Sequence, residues 1–217
     1  GDSALTLEQA YNNNLSFTYA DKGLTLEAGG YVNYFHHYIY AKPDLNYITT
    51  IQGTFPAFTY TQVDALFRGA DLSITYHFAR NLTLISKTSV VRARNLAIHD
   101  WLIGVPADRF DNTLRYEWPS AGKWKNLFLQ VNNLIVSKQS RVPPNSDFAA
   151  PPPGYRLWGA SAGWSVPFVK RELKVSLSVT NLTNADYRDY LDQFRYYFAD
   201  LGRNIVLRLV VPFDIKK

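Results

Sequence analysis

No cysteine occurs among the 217 residues, which excludes disulfide staples and thiol catalysis. No stretch approaches the roughly 20 apolar residues of a spanning helix, and the mean hydropathy is only −0.20. Helical periodicity is missing throughout. There is no glycine-rich phosphate loop, no nucleophile elbow and no paired-carboxylate spacing, so the chain does not read as an enzyme and calls for no cofactor. Basic residues outnumber acidic ones, giving a formal charge of +5 and a pI near 9.3. They are scattered among strands and turns, whereas a nucleic-acid surface would cluster them, so no nucleic-acid partner is expected. The opening Gly1-Asp2-Ser3-Ala4-Leu5 carries no secretion signal.

What the chain has is alternation. Leu173, Val175, Leu177 and Val179 point one way, and Lys174, Ser176, Ser178 and Thr180 the other, because successive strand side chains change face. Ile205, Leu207, Leu209, Val211 and Phe213 share a face, opposite Asn204 and Arg208. Half of each strand is polar, which keeps mean hydropathy low even in a wall between lipid and water. Hydrophobic residues make up 47%, too many for disorder. Aromatics make up 15%, with 15 Tyr and 13 Phe, a supply that suits interfacial girdles.

The pattern predicts nine strands, over 5–20, 23–42, 58–79, 81–96, 107–118, 125–139, 155–168, 171–187 and 202–213. Tight turns at Asp21-Lys22-Gly23, Ala79-Arg80-Asn81, Ser120 to Lys123 and Val169-Lys170-Arg171 alternate with long connections at 43–57, 97–106, 140–154 and 188–201. Strict short–long alternation places every long loop at one end of an antiparallel up-and-down transmembrane β-barrel. Most of these strands exceed the roughly 9–11 residues that cross lipid. Trp118, Trp124, Trp158 and Trp164 fall near strand ends, where amphipathic rings belong. An up-and-down barrel closes on an even number of strands, so nine strands imply part of a larger wall.

Four segments resemble the TonB-dependent outer-membrane receptors. Gly23–Pro43 (GLTLEAGGYVNYFHHYIYAKP) looks like that family's strand ending in a Tyr-Ile-Tyr rim. Arg80–Val90 (RNLTLISKTSV) and Val105–Tyr116 (VPADRFDNTLRY) resemble its following strands, and Val179–Phe213 (VTNLTNADYRDY, then GRNIVLRLVVPF) resembles its closing signature. The continuation Asp214-Ile215-Lys216-Lys217 departs from the family's aromatic C-terminus. The resemblance implies a barrel of about 22 strands filled by an N-terminal plug. Residues 1–217 would be its C-terminal strands, with the plug absent from this chain. It further implies the outer membrane of a Gram-negative bacterium, lipid around the wall, coupling to TonB through the missing plug region, and a small-molecule cargo such as an iron–siderophore or other metal chelate. A passive porin-like channel and a soluble β-rich ligand-binding module are the alternatives.

Within that frame the last long loop supplies the candidate ligand contacts: Arg188, Tyr190, Phe194, Arg195, Tyr196 and Tyr197, beside Arg203 and Phe198. Guanidinium with aromatic rings suits an anionic aromatic chelate; rings packed on one another in an exposed loop is the plainer reading. His36, His37 and His99 are the metal candidates, although adjacent strand residues should point to opposite faces and so not share an ion. Ordinary rim polarity is the simpler account of them. His77 is expected to face water in the lumen. Asn181 and Asn184 suit a turn-like backbone, and Gly202 a tight return to the wall.

Overall fold

The structure is a computed structural model that describes residues 5–121, 124–168 and 171–211. Ten strands form one sheet: β1 Gln9–Asp21, β2 Leu24–Thr50, β3 Gly53–Ala79, β4 Leu82–Asn95, β5 Asp100–Trp101, β6 Arg109–Ala121, β7 Trp124–Val136, β8 Tyr155–Phe168, β9 Arg171–Thr180 and β10 Asn204–Val210. Nine of them follow one another across the sheet in chain order, and β5 folds back onto β4. Every neighbouring pair is antiparallel. The long connections therefore all emerge at the end opposite the tight turns, as expected. Gly122, Lys123, Val169 and Lys170 of the expected turns, and Phe213 with the residues around it, lie outside the described residues.

The register carries each face across the whole sheet. One row runs Leu26, Ile74 and Ser86; another runs Leu114, Val131, Ala160, Val179 and Ile205. Leu15, Phe17, Leu129, Leu177 and Leu207 are all exposed on this face, the reverse of what a water-soluble fold does with such side chains. Aromatics bound it. Tyr76 packs on Phe78 (ring centroids 4.6 Å), Tyr116 on Trp118 (4.1 Å) and Trp124 on Trp164 (5.2 Å) at the turn end. Tyr11 and Tyr34 meet at 6.1 Å toward the loop end. Tyr11 and Tyr19 are separated by roughly 27 Å of strand, comparable with an apolar band roughly 25 Å tall. The other face carries Ser16, Thr18, Glu27, Asp71, Lys87, Asp111, Arg115, Ser176 and Arg208, with Ser176 opposite Arg208. Tyr31 belongs to this inner face, where Gly69 makes room for its ring: a Cβ there would lie 2.2 Å from the Tyr31 ring.

Two expectations need correction. The 43–57 segment is not a loop. β2 and β3 each run 27 residues and meet across a two-residue turn at Ile51–Gln52. The β-branched and aromatic residues Tyr47, Ile48, Thr49, Thr54 and Phe55 keep pairing where Pro43 and Asp44 suggested a break. Register shifts between Phe35 and Tyr38, and between Pro43 and Tyr47, absorb the extra residues. The first shift sits where the strand has climbed roughly 40 Å, so the upper half of the hairpin stands clear of the membrane. The penultimate strand also stops at Thr180 rather than 187, because Asn181 takes φ 48° and turns the chain.

A small apolar core forms where the 96–108 segment folds over the inner face. Leu102 and Val105 pack with Ala65 and Ala93, flanked by Phe35, Tyr38, Tyr40, Val63, Phe67 and Val91. Buried Gln139 ties this segment to the next one, donating to the carbonyls of Val105 (2.7 Å) and Pro106 (3.1 Å). β1 pairs only with β2 and β10 only with β9, so the sheet is open at both edges among the described residues. In a barrel refolded into phospholipid vesicles, Leu177→Arg is expected to cost about 2–4 kcal/mol and Ser176→Arg less than about 1 kcal/mol. Denaturant titration of the two variants checks this; equal costs would contradict the two-solvent reading.

Candidate functional site

The loop end of the wall carries three structures that lean on one another: the β2–β3 hairpin, the 137–154 loop and the 181–203 loop. The last begins where Asn181 leaves β9. Its carboxamide accepts from the Ala185 N–H and donates to the Ala185 carbonyl, both at 2.8 Å, closing a tight turn. Asn184, at φ 54°, accepts from the Arg203 N–H (2.8 Å) and so pins the far end of the loop beside its start. Gly202 is needed here for space rather than for φ, since a Cβ would lie 2.8 Å from the Asn184 oxygen.

Two aspartates fasten the loop. Asp189 accepts from the Tyr155 hydroxyl (2.6 Å) and from Arg109 Nη2 (3.1 Å), both on the wall. Its backbone N–H donates to Asp200 (2.7 Å). Asp147, from the neighbouring loop, accepts from Arg195 Nη2 and from the Tyr196 hydroxyl, the latter at 2.6 Å. Asp192 caps the short 3-10 helix Gln193–Tyr196 by accepting from the Phe194 N–H (2.8 Å), which aims Arg195 inward. The Arg195 guanidinium also lies over the rings of Tyr196 (4.4 Å) and Tyr190 (4.9 Å). Phe148 sits between Tyr47 (5.0 Å), Phe58 (5.6 Å) and Tyr196 (6.0 Å), joining all three structures through aromatic contact.

Two cavities flank Tyr190. One, of about 420 Å³, lies against the wall and is lined by Ser89, Arg109, Gln139, Tyr155, Arg188 and Tyr190 among others. The second, of about 330 Å³, opens toward the hairpin between Tyr38, Tyr40, Phe58, Asp147, Arg195 and Tyr196. Burial, then the bond to Asp147, raises the Tyr196 phenol well above its ordinary pKa, and burial raises Tyr190. Both rings therefore stay neutral at physiological pH and offer hydroxyl donors rather than phenolates.

The structure separates the residues singled out from sequence. Tyr190, Arg195 and Tyr196 come together. Arg188 is exposed at the first cavity, its Nη1 donating to the Arg195 carbonyl (2.7 Å). Phe194 and Tyr197 point outward, and Phe194 stacks on Phe198 at 5.3 Å. Arg195 is buried and engaged by Asp147. Asp147, Asp189, Arg109 and Tyr155 were missed, because their partners lie tens of residues away in sequence.

The histidines also differ from expectation. His37 adopts φ 58° in the first bulge, which turns both imidazoles to one side and stacks them at 3.7 Å. His36 Nδ1 is 2.8 Å from Asp64 and His37 Nδ1 is 2.8 Å from the Thr6 hydroxyl. His99 lies exposed in the 96–108 segment. Among the described residues no group of three or more His, Asp or Glu side chains could hold a metal ion. His77 is on the inner face as expected, with Nδ1 2.8 Å from the Thr83 hydroxyl.

Removing Asp147 should leave Arg195 buried without its carboxylate. Asp147→Ala is expected to cost about 3 kcal/mol of local stability and to speed amide exchange over residues 190–198 about a hundredfold. Asp186→Ala, at an exposed position of the same loop, should leave that exchange unchanged. Hydrogen exchange by mass spectrometry checks both.

Comparison with known proteins follows this geometry. At 32% identity over 124 residues, the chain is similar to the TonB-dependent heme receptor A of Haemophilus ducreyi, a match over 54% of this chain and 16% of the relative. Among solved structures it superposes on the copper transporter OprC with TM-score 0.77 at 20% identity, covering 95% of this chain and 32% of that one. It superposes on the ferric preacinetobactin receptor BauA of Acinetobacter baumannii with TM-score 0.67 at 16% identity, covering 92% and 29%. The chain thus spans about a third of the solved proteins it matches and 16% of the curated relative. The family model for the TonB-dependent receptor-like β-barrel matches residues 1–182, and the chain belongs to that family.

Proposed function

We propose that this chain forms part of the wall and outer vestibule of a Gram-negative outer-membrane receptor that takes up a metal chelate by TonB-coupled transport. The observation that carries this reading is the division of one continuous sheet into an exposed apolar face and a polar face, with a braced cavity at the end where all the long loops emerge. An apolar face of this extent needs lipid. Two open sheet edges in lipid would leave backbone groups unpaired at several kcal/mol each, so further strands beside β1 and β10 belong to the reading, as do the plug and its contact with TonB. The named relatives are a heme receptor, a copper transporter and a ferric preacinetobactin receptor, and a metal or metal complex is the class they share. Arg188 and Tyr190 give the 420 Å³ cavity a cationic and a hydroxyl donor, beside the Arg109–Asp189–Tyr155 cluster, a match to an anionic chelate bearing oxygen acceptors.

Uptake of a radiolabelled ferric chelate by cells expressing the full receptor should vanish when TonB is deleted. Persistence of uptake without TonB would favour a passive channel. Arg188→Ala is expected to weaken chelate binding about tenfold, the scale of one charge-assisted contact, with the melting temperature unchanged. Undiminished affinity in an equilibrium titration would remove Arg188 from the site.

A further inference from the structure

The outer face is not uniformly apolar. At its loop end Arg68 of β3 and Arg92 of β4 are Cα partners, and Arg94 lies two residues farther along β4 opposite Leu66. All three positions share the face of Leu72, Ile74 and Tyr76, with Arg68 and Arg92 about 27 Å of strand above the Tyr76–Leu84 pair and Arg94 two residues higher. This is the level of Tyr34, in the neighbouring strand, where the apolar band ends. Like charges directly opposite each other destabilise a sheet. The local carboxylates cancel only one of the three, Arg92. Asp108 accepts from Arg92 at 2.5 and 2.9 Å and also from Arg141 at 2.9 Å. Asp64, nearby on β3, is engaged by the Tyr34 hydroxyl (2.9 Å), by His36 (2.8 Å) and by the His37 N–H (3.1 Å). The Arg94 guanidinium lies over the Trp101 ring, 3.7 Å from its centroid, and the residue is exposed. Arg68 is exposed and has no ion-pair partner among the described residues.

The opposite rim differs. Among the described side chains, the strand positions at the turn end of this face carry Tyr19, Tyr76, Tyr116, Trp118 and Trp164 with the acidic Asp21, and no Lys or Arg. An arginine facing lipid is cheap only near an interface. Arg68 and Arg94 therefore mark headgroup depth at the loop end of this face, whereas at the turn end the described Lys22 and Arg80 lie in the turns beyond the strands.

We propose that Arg68 and Arg94, beside the Asp108-held Arg92, form a docking site for the phosphate of a lipid headgroup in the loop-side leaflet. Guanidinium binds phosphate through paired N–H bonds, and a phosphate reached by Arg68 and Arg94 leaves the Arg92 fork on Asp108 undisturbed. The proposal rests on the outer face meeting lipid and is independent of the cargo.

The test uses the full receptor in nonionic detergent, with native mass spectrometry to count bound phosphatidic acid, uncharged diacylglycerol as reference and inorganic phosphate as competitor. Wild type should retain phosphatidic acid over diacylglycerol, and added salt should strip it. The double variant Arg68→Gln, Arg94→Gln should retain about tenfold less, while Arg208→Gln on the inner face should match wild type. Displacement by an equal concentration of inorganic phosphate would overturn the lipid assignment in favour of a free-anion site. Equal retention by the double variant would overturn the proposal. So would salt-insensitive retention by the wild type, a measurement that stands even where the variant fails to insert. Chelate uptake that persists in the variant would leave the receptor reading intact whatever the lipid result.

Discussion

Backbone hydrogen bonding inside a solvent that offers none is the constraint on which this structure depends. In lipid every N–H and C=O must find its partner within the protein, and an antiparallel ladder does this for all strands except the two at its edges. The ladder then dictates the rest. A period of two sends alternate side chains to opposite solvents, and a register that shifts only toward the two ends of the ladder keeps lipid-side and water-side residues from mixing between them. With the apolar residues spent on lipid, little remains for a conventional core. The buried cluster of Ala65, Ala93, Leu102 and Val105 exists only because a loop folds back over the inner face.

Outside the membrane, order has to come from other interactions. The loop end uses carboxylates as hubs: Asp108 joins Arg92 to Arg141, Asp189 joins Arg109 and Tyr155, and Asp147 joins Arg195 and Tyr196. Each ties loop to wall or loop to loop. Ion pairs that are largely exposed are worth little, but Arg195 is buried, and the rings around Phe148 pack at the same junction. The vestibule is thereby held open around two cavities rather than collapsed onto itself.

How much of this could be read beforehand divides along sequence separation. The strands, their direction and the sidedness of Leu177 against Ser176 were legible because period-two patterning is local; Asn181 was marked as turn-like, yet the strand was expected to run on to 187. The β2–β3 hairpin was not legible, because Pro43 and Asp44 are ordinary loop signals and only the pairing of Tyr47–Thr50 with Gly53–Pro56 overrides them. The stacking of His36 on His37 depends on one bulge that shifts the period by a residue. In the candidate site, Tyr190 and Arg195 were visible as an aromatic and cationic run. Their aspartate partner at position 147 was not, since nothing in the sequence near Asp147 distinguishes it from any loop acid.

No cysteine lies among these 217 residues, so with any cysteine elsewhere in the receptor replaced the central claim is directly measurable. Single cysteines placed in turn at positions 173 through 180 of the full receptor, in vesicles, can be titrated with a membrane-impermeant maleimide. If β9 separates lipid from water, positions 174, 176, 178 and 180 react, and 173, 175, 177 and 179 are protected until the vesicles are dissolved. Uniform reactivity along the strand, or protection of the even positions instead, would contradict the account.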